Sequence, residues 1–146
     1  MITVRVQTES FDVGDELGSI GKLGGGAVAS FAGIARQDGD VTAIELEHFP
    51  GMTEASLRKL AEQATGRWNL LGATVIHRIG RIEVGESIVF VATCSDHRAE
   101  ALAACSYLID RLKTDAPFWK KEHREDGRAD WVEAKASDNA RAEDWG

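Results

Sequence analysis

Several things are scarce in this chain, and each scarcity excludes a class of protein. No apolar run approaches the ~20 residues that a membrane-spanning helix needs. The opening Met1-Ile-Thr-Val-Arg-Val-Gln7 alternates like a strand and lacks the long apolar core of a signal peptide. Two cysteines, Cys94 and Cys105, are too few and too unpatterned for a disulfide framework. Both fall in stretches that read as core, so a reduced, cytoplasmic setting is expected. The four histidines and two cysteines show no zinc-ligand spacing, and no metal or other cofactor is expected. Positive charge is outnumbered: 17 Lys and Arg face 24 Asp and Glu, for a formal charge of −7. That argues against a general nucleic-acid binder and leaves room for a local basic pocket. Repeats and low-complexity linkers are absent. Gly24-Gly25-Gly26 comes nearest to a phosphate loop, but no Gly-Lys-Ser/Thr follows and no helix opens there. The run reads as a flexible hinge.

What is present suits one domain spanning 1–146, with 136–146 as a tail: 43% of the 146 residues are hydrophobic, enough for a core without staples. Ile2, Val4 and Val6 alternate as a half-buried strand. A short helix over 12–23 turns Leu17 and Ile20 inward. Strands over 27–35 and 41–49 read as a hairpin closed by Gln37-Asp-Gly-Asp40, with Arg36 at its tip. Thr53 is placed to cap a helix whose apolar stripe is Leu57, Leu60, Ala61, Ala64 and Trp68. A strand over 73–82 and a turn at 83–86 lead to Ser87–Thr93, which is apolar on both faces and so reads as a central strand. His77, inside the first of these strands, reads as structural rather than catalytic.

A long helix follows, with Ala101, Leu102, Cys105, Leu108, Ile109 and Leu112 on its inner face. A second hairpin joins Phe118–His123 to Asp130–Ala134 across Glu125-Asp-Gly127. Residues 137–145 are a short helix or a tail, and Trp145 either docks on the body or touches another chain. Strand pairs separated by helices predict an α+β fold built of antiparallel hairpins with two main helices, rather than a parallel βαβ sheet.

Two stretches could carry chemistry. Leu112-Lys-Thr-Asp-Ala-Pro-Phe-Trp-Lys-Lys-Glu122 crowds three lysines around a proline that ends the preceding helix. Lys113 falls in the last helical turn, and Lys120 and Lys121 lie just beyond the break. Either these are cations suited to a helix C-terminus followed by a solvated strand, or they point into a common space. Ser95-Asp-His-Arg98 sits where the buried strand hands over to the long helix. The free N–H groups there, with Arg98 and His97, could hold an anion, or the segment could be a plain cap.

Leu112–Glu122 resembles the signature of the MoaE family, the large catalytic subunits of molybdopterin synthase. Phe31-Ala-Gly-Ile-Ala-Arg36, Leu46-Glu-His-Phe-Pro-Gly-Met-Thr53, Val75-Ile-His-Arg-Ile-Gly80, Ser95-Asp-His-Arg98 and Trp131-Val-Glu-Ala134 match in the same order. The resemblance implies an α/β-hammerhead-like fold. It also implies a sulfurtransferase that converts cyclic pyranopterin monophosphate (precursor Z) to molybdopterin. The sulfur would come from the C-terminal Gly-Gly thiocarboxylate of a small ubiquitin-like subunit, in a heterotetramer built on a homodimer of the large subunit.

By the same resemblance Lys113 and Lys120 would be catalytic. Arg36, His97, Arg98, Lys121 and Glu122 would bind substrate, with Phe31, Phe118, Trp119 and Lys135 in support. The residue types suit the task, because a cyclic phosphate and a thiocarboxylate repel each other and need cations to share a pocket. An ammonium can also stabilise the oxygen that leaves when the cyclic phosphate opens.

Two positions depart from the family pattern: Asp115, where a basic or neutral residue is usual, and Lys135, where Arg is usual. The cysteines do not read as sulfur carriers, since a relay needs an exposed, low-pKa thiolate. The alternative function is a non-catalytic module that grips a ubiquitin-like tail.

Overall fold

Strand β6 (Ser87–Ser95) is the spine of the molecule, buried from Val89 to Ser95. The computed structural model describes residues 1–48, 50–115, 118–132 and 145. Pro117, Lys135 and the expected tail segment 136–144 lie outside the described residues. In the first sheet β6 runs antiparallel to β4 (Gly72–Arg78) on one side and to β2 (Ala27–Ile34) on the other. β1 (Ile2–Gln7) adds parallel to β4, giving the order β1-β4-β6-β2. The central position expected for Ser87–Thr93 is therefore found. The second sheet is antiparallel throughout, in the order β5 (Gly80–Glu83), β3 (Val41–His48), β7 (Phe118–Arg124), β8 (Ala129–Val132).

Two expectations fail on strand partners. β2 and β3 do not form a hairpin; they belong to different sheets. The chain leaving β2 is tied to the turn before β6, where Ala35 N–H donates to Glu86 O at 2.9 Å and Gly85 N–H donates to Ala35 O at 2.8 Å. Alternation gave each strand its faces but could not choose between a neighbour in sequence and a distant partner. The single strand expected over 73–82 is likewise two strands. Gly80 (φ +76°) breaks it, and the halves pair in different sheets.

The alternation of β4 and β6 sorts their side chains into two layers. Val75, Val89 and Val91 face helices α2 (Met52–Trp68) and α3 (Arg98–Asp115), meeting Leu57, Leu60, Leu108 and Leu112. Ile76, Phe90 and Cys94 face the other way, onto Ile20 of α1 (Val13–Gly21). Phe90 is fully buried, which is worth roughly 2–3 kcal/mol relative to exposure. The second sheet closes its own small core on Val41, Ile44, Leu46 and Ile82.

The helix ends show local chemistry. Asp12 caps α1 by accepting from Asp15 N–H at 2.9 Å. Thr53 does not cap α2: Gly51 is the N-cap residue, and Thr53 is buried inside the first turn. Asn69 closes α2 in the left-handed conformation (φ +51°). The glycine run is not a free hinge. A Cβ on Gly25 would stand 2.7 Å from Ser95 O, and one on Gly26 would overlap Asp96 O, so the run is a close-packing site against the end of β6. Trp145 docks on the body. Its Nε1 donates to Asp110 at 2.6 Å, its ring meets Trp68 and Tyr107 edge-on, and Arg67 lies over all three rings.

Candidate active site

Register puts β7 where it matters. Lys120 pairs with Leu46 and Phe118 with His48 on β3, so Phe118 and Lys120, two residues apart, share one face of the strand. That face meets the last turn of α3. The result is a cavity of about 160 Å³ lined by Lys113 from α3, Phe118 and Lys120 from β7, His77 from β4, and an apolar floor of Ile44, Leu46, Ile88 and Leu112. Two lysines from separate elements thus border one space, as the common-space reading of Leu112–Glu122 requires. The buried Leu112 beside Lys113 fixes the helix end.

His77, read from the sequence as structural, lines this cavity. It is 6% exposed, stacks on Phe118 with ring centroids 3.8 Å apart and planes 17° from parallel, and directs Nδ1 at Arg78 O at 2.8 Å. Burial pushes its pKa down to about 4, against the pull of the Arg78 carbonyl, with Lys113 and His48 adding like-charge repulsion. The ring is therefore neutral near pH 7. With Nδ1 donating to a carbonyl, Nε2 carries the lone pair. Nothing in the sequence placed His77 beside the lysines, because its surroundings depend on the far end of α3 and on β7 arriving beside it.

The outer face of β7 carries Trp119 and Lys121. Lys121 lies 4.6 Å from the Trp131 ring centroid, a cation–π contact. Trp119 and Trp131 are both exposed and border a separate cavity with Glu47 and His48. Glu122 pairs with Ile44 across the strands, and its carboxylate stands 3.6 Å from Arg124. Asp115 is occupied on the helix itself, 2.9 Å from Arg111 and bonded to Thr114 Oγ1 at 3.1 Å. Its negative charge is thus offset locally.

The other expected binders stand elsewhere in the chain. His97 and Arg98 are exposed at the start of α3, and fifteen residues of helix at ~1.5 Å each place Arg98 about 22 Å from Lys113. His97 borders a different cavity, of about 380 Å³, with Arg67, Asn69 and Glu100. Arg36 is exposed just past β2. Phe31 is 40% exposed and lines a groove between β2 and α3 with Leu102, Cys105 and Ile109. One chain alone therefore does not join the His97–Arg98 corner to the lysines.

Both cysteines are free and buried, and burial pushes the Cys105 thiol up to about 11, which agrees with the reading that it is no sulfur carrier. Among the described residues no cluster of three or more His, Cys, Asp or Glu is arranged to hold a metal, and no helix is long and apolar enough to cross a membrane.

Two amines and a neutral imidazole over an apolar floor, set on a two-sheet α+β frame, are chemically suited to a small anion. The matches to known proteins are more specific. The model of the MoaE protein family matches residues 6–115. A protein of Mesorhizobium japonicum named molybdopterin synthase catalytic subunit is 50% identical over 147 residues, spanning 98% of this chain and 92% of that protein. The molybdopterin biosynthesis MoaE protein from Burkholderia ambifaria superposes with a TM-score of 0.85 at 44% identity, covering 100% of this chain and 99% of that one. The molybdopterin synthase crystal structure from Staphylococcus aureus gives 0.78 at 29% identity, covering 88% and 95%. This chain belongs to the MoaE family.

Proposed function

We propose that this chain is the catalytic subunit of a molybdopterin synthase. It transfers sulfur from the C-terminal Gly-Gly thiocarboxylate of a small ubiquitin-like subunit to cyclic pyranopterin monophosphate, forming the dithiolene of molybdopterin in the cytoplasm. The observation that carries this reading is the convergence of Lys113 and Lys120 on one cavity with an apolar floor. A thiocarboxylate and a phosphate can approach each other there because two ammonium groups offset their repulsion. As the cyclic phosphate opens, negative charge grows on the leaving oxygen, and a lysine stabilises or protonates it. Phe118 and Trp119 hold the segment on the second sheet, and Lys121 and Glu122 extend it.

The distant anion corner enters through a second copy. β2 is the edge of its sheet, and its own Val28, Phe31 and Ile34 are exposed, as is Leu102 of α3. An exposed apolar edge of this kind calls for a partner. α3 runs back from the end of β6, alongside β2. A two-fold axis through the middle of β2 would pair that strand antiparallel with its copy and lay the two α3 helices side by side in opposite directions. His97 and Arg98 of one chain then approach Lys113 and Arg36 of the other. The homodimer thus supplies what one chain lacks, and Phe31 becomes an interface residue.

The test is reconstitution: this chain, a thiocarboxylated small subunit and precursor Z are mixed, and molybdopterin is measured. Binding of the small subunit without product would favour a non-catalytic module. The shared site has its own test. Lys113→Ala and Arg98→Ala chains, each inactive alone, recover about a quarter of full activity when mixed, because half the dimers are hybrids with one intact site. No recovery would place His97 and Arg98 outside the site.

A further inference from the structure

The reaction gives the two lysines their roles but leaves unexplained why a histidine is buried against them. His77 contacts the cavity directly. Its Nδ1 is already committed to Arg78 O, so the ring can only offer Nε2 as an acceptor. The sealed side-chain N and O atoms without partners among the described residues are Arg5 Nε, His48 Nδ1, Thr53 Oγ1, Arg78 Nη1 and Glu100 Oε2. Nε2 of His77 is not one of them, and no donor within the described residues bonds it. His77 lines that cavity, and the Nε2 lone pair is the ring's one remaining hydrogen-bonding site. Stacking on Phe118 locks the ring's tilt, and Phe118 is two residues from Lys120.

We propose that His77 is the positioning residue of this cavity: when the two anions enter, its Nε2, which bonds no described residue in the unloaded chain, accepts a hydrogen bond from the Lys113 ammonium across the space both residues line and aims that ammonium at the point where the anions meet. The proposal rests on the role given above to Lys113. An ammonium has three N–H donors, so one bond to His77 does not exhaust it. The neutral state matters, since an imidazolium would lose the lone pair and repel both lysines. Burial at a pKa of about 4 keeps the ring neutral wherever the enzyme works. Lysine side chains are long and flexible, and a misplacement of about 1 Å at a reacting centre can cost ~100-fold in rate.

Three variants in the reconstituted full-chain assay separate this role from plain packing. His77→Phe keeps a ring to stack on Phe118 and removes both nitrogens. His77→Gln places an amide oxygen near the Nε2 position, and His77→Asn reaches only the Nδ1 position. The expected result is a kcat loss of about 10–100-fold for His77→Phe with KM for precursor Z little changed. His77→Gln recovers most of that loss, and His77→Asn does not. Melting temperatures confirm which variants fold; if His77→Phe does not, the Gln and Asn pair carries the comparison. His77→Phe at full kcat, or Gln and Asn equally impaired, would overturn the proposal. Lys113→Ala serves as control: if it turns over normally, the catalytic reading itself fails, whatever the His77 variants do.

Discussion

Acid exposes the cost of keeping His77 neutral. In the unfolded chain the imidazole titrates at its ordinary value of 6.5, and in the fold burial holds it to about 4. The unfolded state thus binds the proton more tightly. Stability from this group is complete above pH 6.5, and it is lost as the pH falls from 6.5 toward 4, with no further loss from this group below that. Each factor of ten in proton affinity is about 1.4 kcal/mol, so the whole fall amounts to ~3 kcal/mol, a large share of the 5–15 kcal/mol typical of a domain. The assay is denaturant unfolding at a fixed protein concentration at pH 7.5, 5.5 and 4.5, on the unmodified chain and on His77→Phe. Carboxylates titrate in both, so the difference between the two curves isolates His77. The unmodified chain loses about 2–3 kcal/mol more than the variant between pH 7.5 and 4.5, most of the whole fall. Parallel curves would refute the account of a neutral buried ring.

Trp145→Ala removes a hydrogen bond to a buried carboxylate and two edge-on aromatic contacts. It is expected to cost about 2–3 kcal/mol and several degrees in melting temperature; an unchanged melting temperature would show the dock to be idle. Gly26→Ala drives a methyl group into the Asp96 carbonyl. It is expected to destabilise by about 1–3 kcal/mol and, in the dimer, to weaken precursor Z binding through the neighbouring His97; full stability with unchanged KM would contradict both effects.

What could be read from the sequence was local. The central β6, the β7–β8 hairpin and the burial of Ala101, Cys105, Leu108 and Leu112 on α3 all carry their signal within a few residues, whereas Leu102, expected on that inner face, is 61% exposed because the face ends beside the uncovered edge of β2. The lysines on either side of the break were legible in the same local way, because a helix end and a strand start are set by nearby residues. What could not be read depended on long-range pairing. β2 and β3 are joined by a short turn-like segment and look like a hairpin, yet each finds a better partner far along the chain. Gly80 marks a sheet change only once both partners are known. His77 acquires its surroundings from α3 and β7, more than thirty residues away. His97 and Arg98 join the lysines only by family resemblance, although the sequence itself places them at the opposite end of one long helix from Lys113.

The central claim is that Lys113 and Lys120 act together on two anions in one cavity. Single-turnover molybdopterin formation by Lys113→Ala and Lys120→Ala, in complexes with the thiocarboxylated small subunit, tests it most directly. Each variant is predicted to fold, to bind the small subunit, and to lose about 100-fold or more in rate. A folded variant of either lysine that forms product at the unmodified rate would contradict it.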